Sequence, residues 1–223
     1  SRLEKVPFSF GDGRLQIEGF PNAIRCISVS GAKARHLSDL ALHTHDLQKA
    51  LSALDAINEI LVEPVILREA LWHSAIILFC KCFDQHRSRC SLTFKKVFRD
   101  DPLAYEAFKY FDSLRDKHLV HDENSYAQCP VGAIVNNEDG ERKIAKIVAV
   151  TALGVTLEQG NFDNLQRLIT ITLDWVAKRS NELCNSITSD LEPLPHSELL
   201  ARPALTLGVP AADDVHKARL KPD

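Results

Sequence analysis

The chain has 223 residues, 45% of them hydrophobic, and a formal net charge of −3 at pH 7. This length and apolar content suffice for one sizeable core, and a weakly acidic chain is not expected to coat nucleic acid indiscriminately, since that needs many cations. No apolar run approaches the roughly 20 residues of a membrane span. Six irregularly spaced cysteines and the lack of a recognisable secretory signal favour a cytoplasmic protein with reduced thiols.

The first part of the chain predicts an extended arm and two helices. Residues 1–32 carry several glycines and a short alternation of polar and apolar residues, which favours extended pieces or a hairpin. Over residues 33–62 leucines recur at steps of three and four, which predicts an amphipathic helix with one buried stripe. Pro64 suits the first turn of a second helix, over residues 64–84, which is apolar on nearly every face and is therefore expected to lie centrally.

A third helix and a hairpin are predicted next. Asp101 and Pro102 suit the N-cap and first turn of a helix over residues 102–120. Alternating β-branched residues over 129–157 predict a β-hairpin, with residues 154–157 as a candidate third strand.

The last long helix is predicted over residues 161–189, where apolar residues keep a period of 3.6. Repeated prolines then predict a tail over residues 191–223 that docks in extended form or stays mobile. The pattern as a whole predicts a mainly α fold in which residues 1–190 form one helical domain.

The end of the third predicted helix concentrates ionisable side chains. Residues 115–121 read Arg-Asp-Lys-His-Leu-Val-His, so a guanidinium, a carboxylate and two imidazoles fall within seven positions. In an ideal helix His118 and His121 are neighbours, whereas Arg115 and His121 diverge unless the last turn tightens or bends. Imidazole transfers protons near neutral pH and guanidinium binds phosphate, so the pair suits phosphodiester chemistry.

This segment resembles the HEPN superfamily, whose motif is an arginine, usually a polar residue, and then a histidine a few positions later. The whole string from Arg115 to His121 is similar to uncharacterised bacterial proteins with an Arg-Asn/Asp-Lys-His-x-x-His signature. The resemblance covers the architecture of roughly residues 35–190. It implies a four-helix bundle with a hairpin inserted before the last long helix.

The resemblance also implies a function. Catalytic HEPN proteins are metal-independent endoribonucleases of toxin or defence type that act as homodimers, so RNA and a cognate antitoxin become candidate partners, with no metal and no cofactor. The motif then makes His121 the general acid or base, Arg115 the group that stabilises the phosphate, and Asp116 the group that orients one of them, with His118 in support.

Two alternatives stay open for the same residues. Cations are favourable at a helix C-terminus, so Arg115 and His118 can cap the third helix and hold the hairpin. The protein can also be a non-catalytic dimer that binds a nucleotide, RNA or another protein.

The connector before the third helix is locally basic, and Phe94 and Phe98 interleave with its cations. The candidate nucleic-acid contacts are Lys95, Lys96, Arg99 and Lys117. The two phenylalanines can stack on bases, or they can anchor the connector to the core, which is the preferred interpretation.

Two further groups have metal-binding residue types without a metal-binding pattern. The first is Cys80, Cys82, His86 and Cys90. It lacks the usual Cys-x2-Cys knuckle. The second is Asp39, His43, His45 and Asp46. It lacks the paired Glu-x-x-His motifs of di-iron bundles, so we predict solvated side chains on a helix face.

His73, one turn after Glu69, is predicted to be buried and bonded to that carboxylate.

Overall fold

The structure is a computed structural model that describes residues 8–11, 14–17, 20, 22–59, 65–85, 88–121, 123, 125–138, 142–206, 211–217 and 219, with the backbone alone for 8–11 and 14–17. This part of the chain is mainly helical and carries small two-stranded antiparallel sheets. The predicted mainly α fold is therefore confirmed. None of the helices in the described ranges is both long and apolar enough to cross a membrane.

The helices largely follow the predicted spans. They are α1 (Ala32–Glu59), α2 (Val65–Cys80), α3 (Phe94–Val97), α4 (Pro102–Leu114), α5 (Gln159–Leu191) and α6 (His196–Ala201). The predicted third helix is α-helical only as far as Leu114 and continues as a π-helix, Arg115–Val120. Residues 60–64, where the first predicted helix should end and the second begin, lie outside the described residues.

The strands pair locally. The pairs are β1 (Phe8–Gly11) with β2 (Arg14–Ile17), β3 (Ala127–Gln128) with β6 (Ala152–Leu153), and β4 (Val131–Val135) with β5 (Ile144–Ala149). The β4–β5 pair is the predicted hairpin. The prediction of a third strand at residues 154–157 was wrong. Thr156 of this segment bonds to α2 instead, since its buried hydroxyl accepts a hydrogen bond from Trp72 Nε1 at 3.0 Å.

The contacts divide the chain into two compact units. Unit 1 comprises residues 1–48, 84–92 and 172–223, and unit 2 comprises residues 49–83 and 93–171. Helices α1 and α5 contribute residues to both units. The assignment of residues 1–190 to one domain stays a prediction.

The core of unit 2 is aromatic. Trp72 of α2 is fully buried, meets Phe111 of α4 edge to face with ring centroids 5.9 Å apart, and stacks on Phe162 of α5 at 6.5 Å. Phe79 and Phe108 form a second edge-to-face pair at 6.0 Å. Each buried ring of this size contributes on the order of 1.5–3 kcal/mol, so α4 is firmly held to α2 and α5 within this unit.

In unit 1 the C-terminal segment returns to the residues before α1. The Ser28 N–H donates to the Pro203 carbonyl at 2.8 Å and the Leu205 N–H to the Cys26 carbonyl at 2.9 Å. Residues 203–205 therefore dock in extended form, which is one of the two predicted alternatives for the tail. Helix α6 and the 3-10 turn Ala212–His216 are short helices within the predicted tail that the sequence did not predict.

Candidate functional site

The candidate site lies in unit 2, at the C-terminal end of α4. The helix begins as predicted, because Asp101 Oδ1 accepts the Ala104 N–H at 3.0 Å and Pro102 occupies the first turn. Phe111 and Leu114 are buried at its other end. The direction in which the chain leaves α4 is therefore fixed by packing.

Beyond Leu114 the helix widens. The His121 N–H donates to the Asp116 carbonyl, five residues earlier, at 3.1 Å. In an α-helix, residues five apart point about 140° away from each other. A hydrogen bond from i+5 to i places them on one side instead. The sequence predicts that the last turn must tighten or bend to bring the motif together, and the structure shows a turn that widens.

Arg115, Asp116 and His121 form what we call the Arg-Asp-His group. Asp116 Oδ1 lies 3.7 Å from Arg115 Nη1 and 4.0 Å from His121 Nε2. Arg115 Nη2 also donates to Asp112 Oδ1 at 3.1 Å. The His121 side chain is 57% exposed and that of Arg115 20%. One carboxylate thus lies between a guanidinium and an imidazole, and solvent reaches both.

His118 packs against Tyr126, edge to face, with ring centroids 5.5 Å apart. Its Nδ1 is buried and has no hydrogen-bond partner among the described residues.

Burial lowers the pKa of His73 on α2, and the charge of His118 acts in the same direction, against that of Glu69. The prediction that His73 is buried and bonded to Glu69 was wrong. The His73 side chain is half-buried and Glu69 is exposed. Within the described part of the chain no hydrogen bond joins the two.

The candidate nucleic-acid contacts are all exposed. They are Lys95, Lys96, Arg99 and Lys117. In the described ranges no ion pair neutralises any of these cations. Phe94 stacks on Phe108 at 5.0 Å and Phe98 contacts the same ring at 5.7 Å. The anchoring role predicted for these two phenylalanines is confirmed.

The cysteines considered for zinc make other contacts. Cys80 Sγ lies 3.7 Å from the Phe111 carbonyl and Cys82 Sγ lies 3.5 Å from the Leu78 carbonyl. His86 lies outside the described residues. Within those residues no three histidine, cysteine, aspartate or glutamate side chains approach one another closely enough to hold a metal ion.

A second polar cluster, in unit 1, corrects a prediction. The solvated side chains predicted at Asp39, His43 and Asp46 are 6%, 0% and 7% exposed. Asp46 Oδ2 accepts from Arg89 Nη1 at 2.7 Å, and Asp39 Oδ2 accepts the Cys90 N–H at 2.9 Å. The signal that could have found this buried ionic cluster is the spacing of four and then three, which puts the three residues on one face of α1.

The cluster ties two distant segments to α1. His43 Nε2 lies 2.7 Å from the Cys90 carbonyl, which can only accept, so Nε2 carries the proton. Arg219, near the C-terminus, pairs with Asp39. Burial raises the pKa of Asp39, but the Cys90 N–H and Arg219 outweigh that effect and hold the pKa below its ordinary value.

Acid is expected to destabilise the protein through His43. Burial lowers the pKa of His43 to about 4, against an ordinary 6.5, with Arg89 acting in the same direction and the Cys90 carbonyl opposing it. The unfolded chain therefore binds more protons between these values, and the free energy of unfolding should fall by roughly 3 kcal/mol as pH drops from 7 to 4. Urea denaturation at a series of pH values measures this slope.

His43→Gln should flatten that slope above pH 5, because its amide still donates to the Cys90 carbonyl but does not titrate. His45→Gln, on the exposed neighbour, should keep the wild-type slope. Equal slopes in wild type and His43→Gln would show that His43 is not the titrating group.

No protein-family model, curated protein or solved structure matches this sequence.

Proposed function

We propose that this chain is a HEPN-like, metal-independent endoribonuclease of toxin or defence type that acts as a homodimer. The observation that carries the proposal is the Arg-Asp-His group, in which a π-turn brings Asp116 within 4.0 Å of His121 and 3.7 Å of Arg115. The order of α1, α2, α4, hairpin and α5 supports a HEPN-like four-helix arrangement.

Each member of the group has a role in cleaving RNA by attack of a ribose 2′-hydroxyl. His121, the most exposed of the three, exchanges a proton with the attacking or leaving oxygen. Arg115 stabilises charge that develops on the phosphate. Asp116, whose Oδ1 lies 4.0 Å from Nε2, orients His121. These side chains supply proton transfer and charge stabilisation from the chain itself.

Arg115 must exchange a carboxylate for the phosphate in this mechanism. Its hydrogen bond to Asp112 spans 3.1 Å, and the Asp112 side chain is 50% exposed. Because its Asp112 end is open to water, this pair is weaker than a fully buried one, although the Arg115 side chain is only 20% exposed. A phosphate that accepts two parallel guanidinium hydrogen bonds competes favourably with such a pair.

The exposed cations of unit 2 provide candidate contacts for the RNA backbone. Lys95, Lys96 and Arg99 follow one another closely on α3 and the turn after it, and Lys117 lies on the π-turn itself. Because the whole chain is weakly acidic, phosphate binding must depend on such local groups.

The homodimer has a candidate surface in the β4–β5 hairpin. The directly opposed residues Val131 and Ala149, and Ala133 and Ile147, share one face, and Val135 pairs with Ile144 beyond a register shift in the strands. All six are apolar and exposed, with Val131 at 70% and Ile147 at 61%. An isolated two-stranded hairpin is marginally stable in water, so an uncovered face of this kind marks an interaction site.

A second copy of the chain fits this face better than a charged partner. The face carries no charge, so two copies meet without repulsion. Large and small side chains alternate across it, with Val131 opposite Ala149 and Ile147 opposite Ala133. The large side chains of one copy can therefore pack against the small side chains of the other, so that the face is complementary to itself, as a two-fold interface requires.

Ile147→Glu is expected to abolish self-association, because each dimer would have to bury two unpaired carboxylates. Sedimentation equilibrium over a range of concentrations measures it. The matched control is Lys146→Glu, which changes charge on the opposite face of the same strand and should leave association unchanged. A wild-type protein that stays monomeric at its highest attainable concentration, or equal association in both variants, would contradict the hairpin dimer.

The experiment that tests the proposed activity is incubation of wild type and His121→Ala with labelled RNA in excess EDTA. Cleavage by wild type alone supports a metal-independent nuclease centred on the Arg-Asp-His group. RNA that is bound but left intact by both proteins, with binding lost on charge reversal at Lys95 and Lys96, would support the non-catalytic RNA-binding alternative.

A further inference from the structure

The ring of Tyr126 packs against the π-turn. Its ring meets the imidazole of His118 edge to face, at 5.5 Å and 73°. Behind the ring lies Gly154, whose N–H donates to the Tyr126 carbonyl at 2.6 Å. A Cβ at Gly154 would lie 3.1 Å from Tyr126 Cγ, so glycine is what allows the ring to sit this close.

A chain of hydrogen bonds fixes the other end of Tyr126. Asn161 Nδ2 donates to the Tyr110 hydroxyl at 3.1 Å and to the Thr156 carbonyl at 3.0 Å. A side-chain hydrogen bond joins Tyr110 to Tyr126. A hydroxyl can donate one hydrogen bond while it accepts another, so Tyr110 can bond to Asn161 and to Tyr126 at once. Burial, together with the bond to Tyr126, raises the pKa of Tyr110 to about 12, which keeps its hydroxyl protonated.

The π-turn needs such support, because a helix of this kind is rare and the α-helical alternative is available to the same residues. An α-helical turn would rotate Asp116 and His121 about 140° apart. His118 lies inside the turn, between these two residues in sequence, and contacts Tyr126. A change from one turn to the other would move His118 relative to Tyr126, so this contact is coupled to the geometry of the turn.

We propose that Tyr126, Tyr110 and Gly154 are positioning residues: they hold His118 and, through it, the π-helical geometry that brings Asp116 to His121. The effect on activity rests on the proposed function, whereas the effect on the turn does not. None of the three is assigned to contact the RNA.

The test uses the full chain and two measurements. The first is hydrogen exchange of the His121 amide, which reports the bond to the Asp116 carbonyl. The second is kcat and KM for RNA cleavage in EDTA. Tyr126→Leu should speed exchange by roughly tenfold and lower kcat by roughly tenfold, with KM changed less than about twofold, since only productive geometry is lost.

Graded variants separate positioning from general destabilisation. Tyr126→Phe keeps the ring edge but loses the hydrogen bond to Tyr110, so both measurements should change in the same direction as in Tyr126→Leu and by a smaller factor. Gly154→Ala places a methyl group against the ring and should resemble Tyr126→Leu. Tyr105→Leu removes another ring of unit 2, one that packs against Phe94 at 5.4 Å, and should leave both measurements unchanged.

Unchanged exchange at His121 in Tyr126→Leu would overturn the proposal, as would an equal effect of Tyr105→Leu. If wild type does not cleave RNA but Tyr126→Leu still speeds the exchange, the positioning network stands and the proposed nuclease function fails.

Discussion

Replacing His121 with alanine is expected to lower the rate of RNA cleavage in excess EDTA by roughly 10²- to 10⁴-fold, the usual contribution of a general acid or base. The imidazole is 57% exposed, so its removal leaves neither a cavity nor a buried unpaired group. The free energy of unfolding should therefore stay within about 0.5 kcal/mol of the wild-type value. A large loss of activity without a loss of stability identifies a group that acts in the reaction.

Asp116→Asn should have a smaller effect than His121→Ala. The carboxylate lies 4.0 Å from the imidazole and both side chains are half-exposed, so water screens the interaction, and its loss should cost about 0–1 kcal/mol. This corresponds to a loss of up to roughly fivefold in rate. The variant keeps the shape of the side chain, so the change reports the loss of the charge and of one acceptor oxygen.

His45→Ala is the matched control, since this histidine is also exposed but lies on α1 in unit 1. It should cleave RNA at the wild-type rate. Cleavage that survives His121→Ala would remove His121 from the mechanism, and an Asp116→Asn loss larger than that of His121→Ala would reverse the proposed roles.

The elements predicted correctly are those that depend on nearby residues. The leucine spacing of α1 and the N-cap of α4 at Asp101 are local features, and the helices lie close to where these features place them. The packing of Phe94 and Phe98 also followed from their position between two helices. In each case the partner is near in sequence or the burial is simply apolar.

The features missed depend on single distant partners. Thr156 forms a hydrogen bond with Trp72, 84 residues earlier, and does not pair in the hairpin. Asp46 is buried because Arg89 reaches it from 43 residues away. A pattern in one segment carries no information about which distant side chain will complete it.

For the candidate site the sequence indicated the members but not their geometry. The motif named Arg115, Asp116 and His121, and these are the residues that the π-turn groups together. It also placed His118 in support, where the structure gives a definite contact, the Tyr126 ring. The hydrogen-bonded chain of Asn161, Tyr110 and Tyr126 has no motif of its own and appears only in the folded chain.

Arg89→Met is expected to destabilise the protein by roughly 3–5 kcal/mol, the usual cost of removing one partner of a buried ion pair. Arg89 and Asp46 are 2.7 Å apart with side chains only 8% and 10% exposed, so water cannot replace the lost guanidinium. Chemical denaturation should show the loss, and the melting temperature should fall by roughly 6–20 °C.

Two further variants decide why stability is lost. In Asp46→Leu/Arg89→Met both charges are gone, so most of the stability should return, because apolar pairs of similar volume replace buried ion pairs at little cost. Arg179→Met breaks an exposed pair with Glu182, 44% and 48% exposed, and should cost under about 1 kcal/mol. If Arg89→Met cost no more than Arg179→Met, the pair of Asp46 and Arg89 would be open to water. If the double variant were as unstable as the single one, the loss would come from packing of the arginine stem and not from the loss of its ion pair with Asp46.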